Sequence, residues 1–575
     1  MAALVSPSAR MNRSESRPRH PSEIVQQIPR GSLRGMRVMF INMPLRESAK
    51  PNTPPQGPGL MAARLRSEFG AEPSIVDLNA YRIKDEDAAA RNLPHGRHLT
   101  LREARELIEK HISFHGEPDV VAFSGMITTL RWQKVIATLM REILPDVFLV
   151  SGGGLATEIK KALFTSIPEL DTISHSEGDD VIVLITNDVK RTRHLPAARR
   201  NASFSPSGGY VVETDGRRKF VYEGNRPARL DGLPFAAWDL LERDALGNPV
   251  LEWYIETPVW GMEANNSSAT PFTMRRSLTT VSSRGCPYAC AFCYRGAQGE
   301  RFYGMRSPED LAKEVSWLKE RYDIDFVGFP DDNFGVSVDR ISLLPKTLGP
   351  LKVRWGTHTR LDEADERLKD MAEAGCIYIG FGAESASPPV LTAMNKGGFI
   401  LKRGVVKYDG FEFPKTMVDG IENCRRYGIH SNCTWIMAYP TETLHDLKTS
   451  VRFVLWQIEE VTRGLVPGSS EYRNAVASIN RRMFVATAYP GTAMFKDLRV
   501  QKLLSQNFGI VFENGEPIWN GALEQYVLEL DDATKVLVGP SGEALNFSDM
   551  PMDTFLEARD HVDRDEIEKV LDMRG

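Results

Sequence analysis

Apolar and polar positions change their spacing repeatedly between residues 36 and 195. Met36–Met43 (MRVMFINM) is a short apolar run closed by Pro44, Ser74–Leu78 and Val120–Ser124 are further runs, and Val147–Ser151 leads into Gly152-Gly153-Gly154. Between them Leu60–Phe69, after a Pro/Gly-rich loop (Pro51–Gly59), and Leu130–Ile143 carry the spacing of helices. Strands that alternate with helices and end in small or polar residues predict a parallel, doubly wound α/β sheet. Ligands of such sheets sit beyond the carboxyl ends of the strands. That places the Asn42–Pro44, Ser124–Thr129 and Ser151–Gly154 loops along one edge.

A second βα series starts near Leu278. Its strands are Leu278–Ser283, Ile324–Phe329, Lys352–Gly356, Cys376–Gly382, Ser431–Met437 and Met483–Ala488. Ser307-Pro308-Glu309-Asp310 reads as a helix start, with Ser as N-cap and Pro at the first position. Leu311, Val315 and Leu318 then fall on one face; Met417, Ile421 and Cys424 do the same before Gly428 closes that helix. Six strands with their helices suit a partial (βα)6 barrel. The longer connections 397–415 and 460–480 are expected to cover its mouth. The organisation that follows is a tail (1–35), a Rossmann-like domain (36–195), a linker without sustained periodicity (196–270), the barrel (271–500) and a small mixed C-terminal region (501–575).

Composition narrows the classes without choosing among them. Of 575 residues 42% are apolar and 26% charged, as in globular proteins. The net charge of −5 and the lack of a basic stripe predict no nucleic-acid partner. No apolar run reaches the ~18 residues of a membrane span. The first 35 residues hold six Arg, many Ser and Pro, and only Glu15 and Glu23 as acids. A solvated, disordered tail is expected, with an organellar transit peptide as the alternative.

Six cysteines are too few for a disulfide scaffold. Three of them, Cys286, Cys290 and Cys293, form CxxxCxxC in Arg-Gly-Cys-Pro-Tyr-Ala-Cys-Ala-Phe-Cys-Tyr, directly after the first barrel strand. Barrel active sites lie at that carboxyl end. Three thiolates on one tight loop hold three corners of an iron–sulfur cubane and leave the fourth iron open. Zinc is the alternative, but it prefers four protein ligands, and no fourth is evident nearby. Cys376, Cys424 and Cys433 lie within strands or on an apolar helix face and read as core.

CxxxCxxC with Phe292 before its last cysteine, on the first loop of a partial barrel, resembles the radical SAM superfamily over roughly residues 275–500. The resemblance implies a 4Fe–4S cluster on Cys286, Cys290 and Cys293. Its open iron chelates S-adenosylmethionine, which one electron cleaves to a 5′-deoxyadenosyl radical. It also implies cofactor contacts from Phe292, from Asp332 and Asn333 in Phe329-Pro330-Asp331-Asp332-Asn333-Phe334, and from Glu384 after the fourth strand, with His358 and Arg360 within reach. Tyr439-Pro440-Thr441-Glu442-Thr443 resembles a degraded form of the family's PGET run and is expected to start the next helix. Tyr489-Pro490-Gly491-Thr492 resembles the turn after strand six.

The domain in front resembles the cobalamin-binding class of that superfamily, through Met39–Pro44, Glu117–Ser124, Val150–Gly154 and Ser176-Glu177-Gly178-Asp179. The resemblance implies that Asn42, Ser124, Met126, Thr128, Gly152, Gly153, Gly154, Glu177 and Gly178 contact cobalamin. A histidine-bearing DxHxxG motif is absent, so Met126–Trp132 is expected below the cobalt. The function implied is a cobalamin-dependent radical SAM methyltransferase. The radical abstracts hydrogen from the substrate, and methylcobalamin gives its methyl group to an unactivated carbon or to phosphorus. The alternatives are a non-methylating rearrangement or cyclisation, a cobalamin-free enzyme transferring another fragment of S-adenosylmethionine, and a non-catalytic sensor. A small-molecule or peptide substrate, an electron donor such as flavodoxin or ferredoxin, and a cytoplasmic location complete the expectation.

Overall fold

The computed structural model describes residues 20–45, 53–84, 97–225, 229–256, 274–294, 303–530, 536–540 and 542–574. Two parallel sheets dominate it. The first is built from β1 (Arg37–Asn42), β2 (Glu72–Asp77), β3 (Val120–Ser124), β4 (Phe148–Gly152), β5 (Thr172–His175), β6 (Gly209–Thr214) and β7 (Arg217–Glu223), in the order β2-β1-β3-β4-β5-β7-β6. All neighbours are parallel except the β6–β7 hairpin. The order reverses between β1 and β3, which is where a doubly wound sheet opens its ligand crevice. Both faces of the sheet are covered, and Val38, Phe40, Val121 and Leu149 are all buried. Continuous apolar strands of this kind are what burial on two faces demands.

The second sheet runs β17-β16-β13-β12-β11-β8 and is parallel throughout. Its strands are β8 (Ser277–Thr279), β11 (Phe326–Phe329), β12 (Arg354–Arg360), β13 (Cys376–Glu384), β16 (His430–Met437) and β17 (Phe484–Val485). Helices cover its outer face, so it is the curled six-stranded half barrel that the alternation predicts. Ser307 caps the helix Pro308–Tyr322 by accepting the Asp310 N–H at 3.2 Å. Thr443 caps Leu444–Thr462 in a capping box with Asp446, so the Tyr439–Thr443 run does start a helix.

The chain departs from the expected organisation in three places. Residues 20–35 are folded, not a tail: Val25 and Leu33 are buried, and Arg193, at the end of the helix Gly178–Thr192, donates to the Gly35 carbonyl at 3.0 Å. Their apolar residues are too sparse to register against the surrounding Arg and Ser. Residues 1–19 lie outside the described residues.

The stretch 196–256 is likewise more than a linker. It adds β6 and β7 to the first sheet and buries Trp238 completely. Its Tyr254 donates to Asp77 at 2.9 Å. Residues 257–270 lie outside the described residues.

Only the first part of the two long connections reaches the mouth: Phe399 packs edge-on against Tyr288 of the cysteine loop, ring centres 5.2 Å apart. Residues 405–414 form a hairpin that folds down the outside of Leu444–Thr462, held by Arg452–Asp409 (2.9 Å) and by Tyr408 on Glu459 (2.5 Å). That helix, ~28 Å long at 1.5 Å per residue, carries the chain back to the amino ends of the strands. The connection 460–480 therefore lies opposite the mouth.

The C-terminal region joins the two sheets. The helix Gly521–Glu529 sends the Tyr526 hydroxyl to the Ala488 carbonyl (2.6 Å) after the last barrel strand, and Glu524 pairs with Lys134 of the first domain.

Gly224, just past β7, donates to the His175 carbonyl at 2.8 Å; a Cβ there would stand 1.9 Å from the Glu177 carbonyl oxygen. Gly224→Ala forces this backbone apart, and such overpacking costs ~1–3 kcal/mol. Urea unfolding is expected to show the lower midpoint; an unchanged midpoint would refute the close approach.

Candidate active site

Residues 286–293 form a loop past β8 that is held at several points by distant segments. The Gly285 N–H donates to Asp332 at 2.9 Å, and the Ala291 N–H donates to the Met394 carbonyl at 2.9 Å. The Met494 N–H donates to the Ala291 carbonyl at 2.8 Å, and Asn395 reaches the Ala289 carbonyl at 2.8 Å. The Tyr489–Thr492 turn thus leads straight into one of the loop's anchors. Asp331, buried, accepts from the Ser282 backbone (2.8 Å) and from the Ser283 hydroxyl (2.6 Å). The two neighbouring aspartates after β11 therefore fix the approach from β8 to the first cysteine.

Burial raises the Cys286 thiol. Cys293 opens to solvent on one side, yet the protein around it and the neighbouring Cys290, Asp332, Cys286 and Glu384 push it up to about 12. Three ionised sulfurs beside an aspartate are tolerable only around a strongly cationic group, so the donor set fits an iron–sulfur cluster. A single zinc needs its sulfurs ~2.3 Å from one point. A structural zinc also takes four protein ligands, whereas this loop offers three cysteines.

The ends of β11, β12 and β13 surround the loop. Asn333, fully buried, accepts from the Thr359 hydroxyl (2.7 Å), donates to Glu363 (3.2 Å) and lies 4.0 Å from Cys286 Sγ. Arg360 is buried, held by Asp362 at 2.9 and 3.2 Å, with Nη1 3.5 Å from Cys290 Sγ. Glu384 takes a left-handed backbone (φ +69°) at a bulge in β13, and its carboxylate pairs with the buried Lys396 at 3.3 Å. Lys396 lies 5.9 Å from the centre of the Phe292 ring. His358 keeps some accessible surface but is surrounded by protein, which lowers it to about 4, so it is neutral near pH 7. Gly380 opposite makes room for it: a Cβ there would meet His358 Cδ2 at 2.6 Å.

Beyond the carboxyl ends of the first sheet lies a cavity with about 890 Å³ of free space, part of it open to solvent. Phe40, Val150, Ile182 and Ile185 give it apolar walls, and Ser124, Gly152, Gly153, Glu177 and Gly178 lie at the strand ends. Two of its buried polar atoms, Gln56 Nε2 and Ser174 Oγ, have no hydrogen-bond partner in the protein. An apolar cleft with a few unsatisfied polar groups is the usual form of an organic ligand site, and it fits the nucleotide tail of a cobalamin.

One cavity wall comes from the other domain. Arg284, two residues before Cys286, reaches Glu177 at 3.0 Å and Asp179 at 2.5 Å. Burial works against the Asp179 carboxylate, but Arg284, together with Arg64 and a backbone N–H, more than offsets it and holds the group below the usual range.

Not every expected contact is at this cavity. Asn42 is buried and donates to Asp77 at 2.8 Å, because its side chain faces β2 rather than the strand ends. Thr128 spends its hydroxyl on the Leu45 carbonyl (2.5 Å). Gly154 starts a helix, and a Cβ there would meet the Met126 backbone at 3.5 Å. Met126 is 57% exposed beside the Gly-rich loop. Sequence reasoning missed Gln56, Ser174 and Arg284. Nothing local marks the first two, and Arg284 stands at the head of the cysteine run with no chemistry of its own to flag it.

Residues 280–454 match the family described as the radical SAM superfamily. The half barrel therefore carries a radical SAM domain, with a 4Fe–4S cluster and S-adenosylmethionine as that domain's cofactors, and a Rossmann-like domain stands in front of it. An uncharacterized methyltransferase of Pyrococcus horikoshii is 24% identical over 412 residues, covering 71% of this chain and 74% of its own. Among solved structures, the radical S-adenosylmethionine methyltransferase TsrM from Kitasatospora setae, with cobalamin and a [4Fe–4S] cluster bound, superposes with a TM-score of 0.53 at 14% identity. It covers 83% of this chain and 76% of its own. The cobalamin-dependent radical enzyme OxsB gives 0.58 at 14% identity, over 92% and 67%. At such identities the structures speak for the fold.

Glu442, in the Tyr439–Thr443 run, is fully buried. Its Oε2 accepts the Ala438 N–H, its Oε1 has no partner, and burial raises it from 4.5 to about 8. The folded chain keeps a proton that the unfolded chain releases, so this group's contribution to stability falls as pH rises from about 4.5 to about 8. The slope approaches ~1.4 kcal/mol per unit. Denaturant unfolding at about pH 5 and about pH 8 is expected to show a smaller loss for Glu442→Gln than for wild type; equal losses would remove Glu442 as the cause.

Proposed function

We propose that this protein is a cobalamin-dependent radical SAM methyltransferase acting on an unactivated carbon or a phosphorus centre of a small-molecule or peptide substrate. The observation that carries the reading is the junction at Arg284. There the three-cysteine loop and a cavity suited to an organic cofactor share one wall. The methyltransferase name of the Pyrococcus relative, and the cobalamin and cluster bound by TsrM, support it.

When bound, the cluster and S-adenosylmethionine supply a 5′-deoxyadenosyl radical, and cobalamin supplies the methyl group. Cys286, Cys290 and Cys293 hold the cluster, with Phe292, Asp332, Asn333 and Glu384 around it. Ser124, Gly152, Gly153, Glu177 and Gly178 line the cofactor's tail, where Gln56 Nε2 and Ser174 Oγ gain the partners they lack. Met126, exposed beside the Gly-rich loop, faces the remainder of that cofactor and shields it from water. Substrate enters between the two domains, and their fixed separation places it against both reactive centres.

Flavodoxin or ferredoxin delivers the electron, and the protein works in the cytoplasm. Six unpaired cysteines fit a reducing compartment.

The test is anaerobic purification with added hydroxocobalamin, followed by iron and cobalt assays and detection of 5′-deoxyadenosine. About four irons per chain and near-stoichiometric cobalt are expected; irons without cobalt after reconstitution overturn the cobalamin reading. Cys293→Ala is expected to lose the irons and all 5′-deoxyadenosine. Gly152→Phe is expected to keep the irons and lose the cobalt, because an added Cβ at Gly152 meets nothing nearer than Ser174 Cβ at 3.8 Å and the ring enters the cavity.

A further inference from the structure

Among the described residues, two of the three cysteine sulfurs are approached by side-chain N–H donors from neighbouring strand ends, and one of these two donors is charged. Arg360 Nη1 lies 3.5 Å from Cys290 Sγ, while the neutral Asn333 amide stands 4.0 Å from Cys286 Sγ. The Cys293 sulfur has the Tyr294 carbonyl beside it, 3.5 Å away.

The guanidinium is locked in place. Asp362 takes its Nε and Nη2, which turns Nη1 to the sulfur. Its face lies 4.0 Å over the centre of the Tyr288 ring, within the cysteine loop itself. The Tyr288 hydroxyl donates to Glu363 at 2.9 Å, and Glu363 is bound in turn by Asn333 and by the Thr359 hydroxyl (2.5 Å). Burial on every side keeps water from screening this charge.

We propose that Arg360 sets the reduction potential of the cluster, stabilising its reduced state through Cys290. The inference rests on the reading of a 4Fe–4S cluster held by the three cysteines. Reduction adds one electron, supplied by a low-potential one-electron donor, and no proton need accompany it. The added negative charge spreads onto the sulfurs, so a cationic N–H donor on one of them favours the reduced form. Asp362 orients this donor and Tyr288 holds its face, so the loop that carries the cluster also carries the seat of its regulator.

The test is an EPR-monitored redox titration of reconstituted wild type, Arg360→Gln and Arg360→Lys, each with its iron content measured. Arg360→Gln is expected to lower the equilibrium constant for reduction about tenfold, ~59 mV for a one-electron couple. Arg360→Lys keeps a charge but loses the fork, and is expected to fall between the other two. An Arg360→Gln potential equal to wild type at full iron content overturns the proposal, as do equal values for the two variants. If Arg360→Gln fails to hold the cluster, an Arg360→Lys potential equal to wild type overturns it and a lower one supports it. Failure of the wild type to hold about four irons is a different result, since it removes the cluster reading beneath the proposal.

Discussion

A single guanidinium ties the two halves of this protein together at the place where both do their work. Arg284 leaves the cysteine loop and ends on Glu177 and Asp179, which belong to the turn that closes the cavity of the first sheet. Taking away one partner of a buried pair costs ~3–5 kcal/mol, because the other charge stays behind without compensation. The carboxyl edges of two parallel sheets therefore face each other in one fixed relation. In the C-terminal region, the Lys134–Glu524 pair and the Tyr526 hydroxyl brace the same relation from outside the joint.

Some of the chain's local costs fall at the carboxyl ends of the strands around this joint. Ser176, Glu384, Ala438 and Thr441 all have positive φ, and all stand at or just past the carboxyl ends of strands. Three unsatisfied polar atoms, Gln56 Nε2, Ser174 Oγ and Glu442 Oε1, lie in the same regions. Departures from local rules of this kind concentrate at working sites, where the surrounding fold holds the residues in place.

Much of the architecture was legible in the chain because it is written in local periodicity. The helix Leu130–Ile143 has the boundaries its apolar spacing predicts, and all six barrel strands fall where the runs lie. The cysteine loop was legible because its spacing is dense chemistry in a short stretch. Other features depend on partners far away in sequence. Asn42 reads as a strand-end polar group until Asp77 is placed beside it, 35 residues on. The hairpin at 405–414 reads as a mouth insertion until the outer face of Leu444–Thr462 claims it. The folded start at 20–35 depends on a helix more than 150 residues downstream, and composition conceals its few apolar anchors.

The anchoring of the cysteine loop also has a consequence for biosynthesis. Met394, Asn395 and Met494 all hold its backbone, and the last of these is made about 200 residues after Cys293, or ~10–40 s later at 5–20 residues per second. Until then the three thiols emerge on a loop without its final walls. A product truncated or stalled before Met494 is left with its three sulfurs on a loop that lacks one of its backbone anchors.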